Sequence, residues 1–423
     1  MELYVHIPFC VKKCNYCDFL SMPADDTVKK QYVQALKNEI VFYAESLPEK
    51  LETIYFGGGT PSVLLPEQLT ELLDLIRRKF DVHPDAEITI EINPATIDYK
   101  GLHKLRKVGF NRLSIGLQSV QNDKLLLLGR IHTYEEFLQT YQNARQAGFQ
   151  NINIDCMSAL PGQSLEEYVD GLHKVVALNP EHISSYSLII EENTPFYEQY
   201  ANHKELLPDE ETDRAMYHET KRILQEAGYF RYEISNYAKA GFESRHNSGY
   251  WKRVPYLGIG LGASSFIHGC RTKNISDMKQ YILLWLSTNN VLQKSDRCHL
   301  VKGSITASDN NYNCAPRAIN KNTIESEIEN SIKDVLYQQY DEIEQLSIED
   351  AMAEYFFLGL RMIKGVSIQR FETEFGCSVF ERFSKELAEL EKDGLLLINP
   401  DEDRIALTEF GMDVSNWVFE KFI

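Results

Sequence analysis

Short β-branched and aromatic runs alternate with longer amphipathic stretches through the first half of the chain. The runs Leu3–Ile7, Thr53–Phe56, Glu87–Ile92, Arg112–Gly116, Asn151–Cys156 and His182–Leu188 predict strands. Between them, segments near 27–46, 66–79, 98–108, 121–147 and 164–177 carry apolar residues at helical spacing, for example Leu69, Leu72, Leu73 and Ile76. Gly109, Gly148 and Gly162 punctuate element ends. Six β-then-α units in succession predict a parallel sheet with right-handed crossovers. Polar residues follow each strand, which favours an α/β fold of the TIM-like type, a partial (β/α)6 barrel with its chemistry on the loops after the strands.

The pattern changes further along. Residues 1–190 form the expected barrel core, and 191–294 a less regular region that completes it. Within the latter, Tyr256–Phe266 reads as a glycine-rich turn packed near the barrel. Residues 295–346 read as an insertion or linker, and 295–323 are rich in Asn, Ser and Lys without periodicity. Cys298, His299 and Cys314 fall there and lack the tight pair of a metal site, so they are read as incidental. Residues 347–423 give three helical runs, then Leu395–Ile398, an acidic turn and Ile405–Leu407, a winged-helix-like module. It carries no basic recognition helix, which favours an interaction or lid role over DNA binding.

Composition narrows the class. The 423 residues are 43% hydrophobic and 25% charged, as in globular proteins, and contain no 18-residue apolar run. The N-terminus shows no basic-then-apolar signal pattern. Eight cysteines, three clustered and five scattered, suit a reduced compartment, and the cytoplasm is the expected location. A net charge of −18, with 44 basic against 62 acidic residues, disfavours both a nucleic-acid partner and an anionic membrane surface.

The chemistry concentrates after the strands. Cys10, Cys14 and Cys17 bring three thiolates into one loop, and Gly57-Gly58-Gly59-Thr60-Pro61 follows the second strand. Ferredoxin cubanes take four cysteines, one per iron, whereas Phe19 stands here where a fourth would continue the motif. Three thiolates therefore leave one iron open to a small chelating molecule. The alternative is a structural zinc site of His6, Cys10, Cys14 and Cys17. Further candidates stand at the same end of the sheet. Glu91, Asn93 and Asp155 close strands, Gln118 and Ser119 follow one, and Thr60 adds a hydroxyl. Glu91 and Asp155 can accept from ribose hydroxyls or an ammonium, and Arg130 can pair with a carboxylate. The set suits a zwitterionic amino acid carrying a nucleoside.

C-x3-C-x-Y-C followed by GGGTP resembles the radical S-adenosylmethionine (SAM) family. The run YVHIPFC resembles that family's oxygen-independent coproporphyrinogen III oxidase branch. The resemblance implies a [4Fe–4S] cluster on Cys10, Cys14 and Cys17 with SAM on the unique iron. It implies SAM contacts at Tyr4, Tyr16, Gly58, Gly59, Thr60, Glu91, Gln118, Arg130 and Asp155, and the branch is described as holding two SAM molecules. Two departures separate this chain from the oxidases: Phe19, and only nine residues before Cys10. His246-Asn247-Ser248-Gly249-Tyr250-Trp251 instead resembles the HNxxYW motif of a sister group of haem chaperones. That likeness implies haem as a ligand, with His246 as candidate axial ligand and haem-receiving respiratory proteins as partners. Homodimerisation stays open, no catalytic residue is assigned, and coproporphyrinogen oxidation is the alternative activity.

Overall fold

The computed structural model describes residues 1–44, 47–294 and 339–423. Strands β1 (Glu2–Ile7), β2 (Leu51–Gly58), β3 (Val82–Ile92), β4 (Arg112–Gln118), β5 (Ile152–Ser158) and β6 (His182–Ser187) pair in parallel in that order. Helices α1 (Asp26–Ala44), α2 (Pro66–Lys79) and α3 (Tyr99–Val108) make the first three crossovers. Helices α4 (Asn122–Leu127) and α5 (Tyr134–Gln146) share the fourth, and α6 (Leu165–Ala177) makes the fifth. This is the expected partial (β/α)6 arrangement.

Two elements differ from the sequence expectation. The single helix expected over 121–147 is two helices. Gly129 turns the chain at φ +75°, and Thr133 starts α5 by accepting from the Glu136 amide while Glu136 caps back. The break delivers Arg130 to the cysteine loop. The Tyr256–Phe266 turn proves to be sheet. β9 (Tyr256–Ile259) pairs in parallel with β1, and β10 (Ser264–Ile267) returns antiparallel beside it. A Cβ on Gly258 would lie 2.0 Å from the Ser264 carbonyl, so the return needs glycine there.

With β7 (Phe230–Arg231), β8 (Asn236–Ala238), β11 (Cys270–Asn274) and β12 (Tyr340–Gln345), the sheet order is β12-β11-β10-β9-β1-β2-β3-β4-β5-β6-β8-β7. Its outer face is apolar. Leu3, Val5, Ile7, Ile54, Phe56, Ile88, Ile90, Leu113, Ile115 and Ile154 pack under the helices with Leu69, Leu72, Leu73 and Ile76 of α2. Each such side chain contributes about 1.5–3 kcal/mol when fully buried.

The other face is polar, in rows set by the register: Glu2–Thr53–Glu87, Tyr4–Tyr55–Thr89–Arg112, and Glu91–Ser114–Asn153–His182. Alternation of side chains along a strand makes these rows possible. A polar interior costs stability unless paired, so it marks where the fold is committed to something other than packing.

A second core holds Phe356, Phe371, Phe383, Leu390 and Ile405 beneath helices Ile348–Gly359, Ile368–Phe375 and Ser384–Lys392. Strands β13 (Leu396–Asn399) and β14 (Arg404–Leu407) form its hairpin. The 295–323 segment, with Cys298, His299 and Cys314, lies outside the described residues.

Candidate functional site

The cysteine loop leaves the C-terminal end of β1 and is tied at its base. The Met22 amide donates to the Pro8 carbonyl at 2.8 Å, and the Cys10 amide to the Met22 carbonyl at 3.2 Å. Asn15 pins the loop's middle to the end of α4, its amide and side chain donating to the Leu128 and Leu127 carbonyls, each at 2.9 Å. Cys10, Cys14 and Cys17 are free thiols. Burial, and then the neighbouring Cys14, push Cys10 up; burial chiefly does the same to Cys17. Loading these thiols with iron must release protons. Phe19 is 64% exposed and offers no fourth ligand.

His6 is not available to zinc. Its Nδ1 meets the Tyr4 hydroxyl at 3.0 Å and its Nε2 the Leu20 carbonyl at 2.9 Å, so both ring nitrogens are occupied. Burial lowers its pKa, and the neutral ring acts as a strut between β1 and the loop. Among the described residues no three His, Cys, Asp or Glu side chains gather as ligands of one ion. A cubane takes one thiolate per iron, which suits a loop of three thiols without a closing fourth ligand.

The glycine run serves the loop. Gly58 has φ +113°, and a Cβ there would fall 2.5 Å from the His6 ring; one on Gly59 would lie 2.7 Å from the Phe9 carbonyl. The Gly59 and Thr60 amides donate to the Ile7 and Phe9 carbonyls at 2.9 and 2.7 Å. These glycines make room for the loop's own supports, His6 and Phe9.

Glu91 accepts from the Tyr55 hydroxyl at 2.8 Å and the Gly58 amide at 3.1 Å, and burial nevertheless pushes its carboxyl up to about 7. Asp155 accepts from Asn153 at 2.7 Å and Ser114 at 3.1 Å, and burial raises it as well. Arg130 donates to the Gly116 carbonyl at 2.6 Å and to Asn93, and faces the Cys14 sulfur at 3.7 Å. Burial opposes its charge, but Tyr16 and Cys14 outweigh that and keep it protonated. Its Nε has no partner, a buried donor left for something else. Tyr16 is pushed up by burial, as is Tyr4, which stacks on Tyr55 with ring centroids 6.2 Å apart. Gln118 sits at φ +70° and accepts from the Tyr186 hydroxyl at 3.1 Å. A non-glycine residue in that region is uncommon.

His246 lies elsewhere. It opens helix α9 (Arg245–Trp251) beside the N-terminal ends of β1 and β2, 1% exposed. Thr53 meets its Nδ1 at 2.7 Å and Tyr250 its Nε2 at 2.8 Å. Burial and then Arg112 lower its pKa to about 3. Both ring nitrogens are thus engaged, and an axial role for His246 would require one of these two contacts to open. Tyr250 and Trp251, in contrast, line a cavity of about 540 Å³.

Sequence reasoning passed over Asn15, Tyr55, Arg112 and Tyr186. Arg112 is 1% exposed inside the barrel, and its signal was a lone cation opening an apolar strand. Asn15 carried no signal, because its partners lie 112 and 113 residues away.

The model of the radical SAM superfamily matches residues 4–175, and that of the HemN C-terminal domain residues 346–414. The heme chaperone HemW of Bacillus subtilis (strain 168) is 33% identical over 422 residues, 99% of this chain and 98% of that protein. The heme chaperone HemW of Lactococcus lactis subsp. lactis is 34% identical, covering 99% and 96%. Among solved structures, the radical SAM enzyme coproporphyrinogen III oxidase (HemN) from Escherichia coli superposes with TM-score 0.77 at 25% identity. That match covers 100% of this chain and 89% of that one.

Proposed function

From the premise that the chain belongs to the HemW family within the radical SAM superfamily, we propose that it is a haem chaperone. In this reading it holds a [4Fe–4S] cluster and SAM, binds haem and delivers it to haem-receiving respiratory proteins. The observation that carries the reading is likeness over nearly the whole chain to HemW proteins, joined to three free thiols on one anchored loop.

Cys10, Cys14 and Cys17 would hold three irons, and the fourth iron, when the cluster is bound, supplies a coordination position for the amino and carboxylate groups of SAM. Arg130, with an unpartnered donor and a positive charge, would orient the carboxylate. Glu91 would accept from the ammonium or ribose, and Asp155 and Gln118 from the nucleoside side. Tyr4, Tyr16, Gly58, Gly59 and Thr60 shape the pocket through His6, the loop and β2. Haem would lie against Tyr250 and Trp251, with His246 positioning Tyr250 through its 2.8 Å contact.

The oxidase alternative rests on the full-length superposition on HemN. Anaerobic incubation with SAM, reductant and coproporphyrinogen III separates the two. The chaperone reading expects no protoporphyrinogen and a haem-binding absorbance titration that saturates. Turnover of coproporphyrinogen would replace it with the oxidase.

A further inference from the structure

The 540 Å³ cavity lies between the barrel sheet and the C-terminal unit, and one wall of it carries Arg253, Phe266, Arg271 and Glu354. Arg253 and Arg271 flank Phe266, each guanidinium 5.5 Å from the ring centroid. Both approach Glu354, which enters from the C-terminal helix Ile348–Gly359, and Arg253 also pairs through Nη1 with Glu374 at 2.5 Å. Arg271 Nη2 lies 2.5 Å from Glu354 Oε1, whereas Arg253 Nε and Glu354 Oε2 stand 3.5 Å apart and make no hydrogen bond. The Arg253 and Glu354 side chains are 6% and 9% exposed, so each keeps a buried, unsatisfied polar atom. Burying such atoms without a hydrogen bond is costly. Arg253 is also held at φ +54°, a region costly for a side-chain-bearing residue and common at ligand clamps. The two guanidiniums thus stand beside aromatic rings in the cavity wall with internal carboxylates, Glu354 and Glu374, as their present partners.

We infer that this cavity takes a flat aromatic dicarboxylate, with Trp251 and Tyr256 against its faces and Arg271 and Arg253 on its carboxylates, and that Glu354 is an internal carboxylate which the ligand displaces. Given the chaperone reading, on which this rests, the ligand is haem and the groups recognised are its propionates. Displacing Glu354 breaks one tie between the barrel and helix Ile348–Gly359, while Arg253 keeps its pair with Glu374.

The test is an absorbance titration of the full chain with haem and with haem dimethyl ester, in the wild type, Glu354→Gln and Arg271→Gln. Removing the competing charge should tighten haem about tenfold. Removing the cation should weaken it at least tenfold, because hydrogen bonds to charged groups are the strong ones. The dimethyl ester should bind all three alike. Equal binding of haem and ester, or a Glu354→Gln titration unchanged from wild type, overturns the carboxylate site while leaving haem binding intact. Absence of haem binding altogether fells the chaperone reading and this inference with it. Should Arg271→Gln fail to fold, the gain expected of Glu354→Gln still decides the matter.

Discussion

Glu91 shows how a single residue can report on the site. Its carboxyl titrates near 7 because burial opposes the charge more than Tyr55 and Gly58 support it. A carboxylate accepts hydrogen bonds better than the acid, so SAM affinity should strengthen as pH rises through about 7. Glu91→Gln should weaken SAM about tenfold and flatten that pH dependence, with iron content unchanged in anaerobic equilibrium dialysis. Loss of iron together with SAM would make Glu91 a structural residue. His246 poses a sharper choice. Gln can keep contacts to Thr53 and Tyr250 but is a poor iron ligand. His246→Gln should therefore retain the Soret maximum and come within about threefold of wild-type haem affinity, while His246→Ala falls about tenfold. A displaced Soret band in His246→Gln would restore the axial-ligand role. At the barrel's closed end, Glu2 is raised to about 8 by burial and then by Glu87. The native state thus holds a proton that the unfolded chain loses near 4.3, and stability present below that pH declines as pH rises towards 8. Glu2→Gln should melt several degrees higher at pH 8, a gain of about 1–3 kcal/mol, and match wild type near pH 4.5.

At the level of elements, β2 and its glycines govern the cysteine loop. Gly58→Ala would impose a side chain at φ +113° and drive His6 away from Leu20. The expected cost is about 2–4 kcal/mol of stability, with reduced iron per chain on anaerobic reconstitution. A variant with full iron and unchanged melting would show that the His6 strut is dispensable. The strands were legible because period-two alternation survives in each of them, with Ile88 and Ile90 facing helices and Glu87, Thr89 and Glu91 facing inward. The break at Gly129 was legible in principle from Thr133 and Glu136, but the apolar period running across it read as one helix. Motif reasoning singled out the three cysteines and the glycine run, but not the packing of Gly58 and Gly59 against His6 and Phe9. The difference between ligand room and packing room is set by His6 and Phe9, whose positions only the fold supplies.

For the whole molecule, the arrangement separates functions along the barrel. Thiols, Arg130, Glu91 and Gln118 gather after the strands, His246, Glu2 and Arg112 seal the other end, and the C-terminal unit leans on the sheet through Glu354. That last contact was unreadable in sequence, since Arg271 and Glu354 are 83 residues apart and meet only through tertiary packing. The most direct test of the central claim is the electron paramagnetic resonance spectrum of anaerobically reconstituted, reduced protein with and without SAM. A cubane on Cys10, Cys14 and Cys17 should give a half-integer-spin signal that SAM visibly alters. Protein that takes up no iron, or a cluster whose spectrum SAM leaves unmoved, would contradict the account.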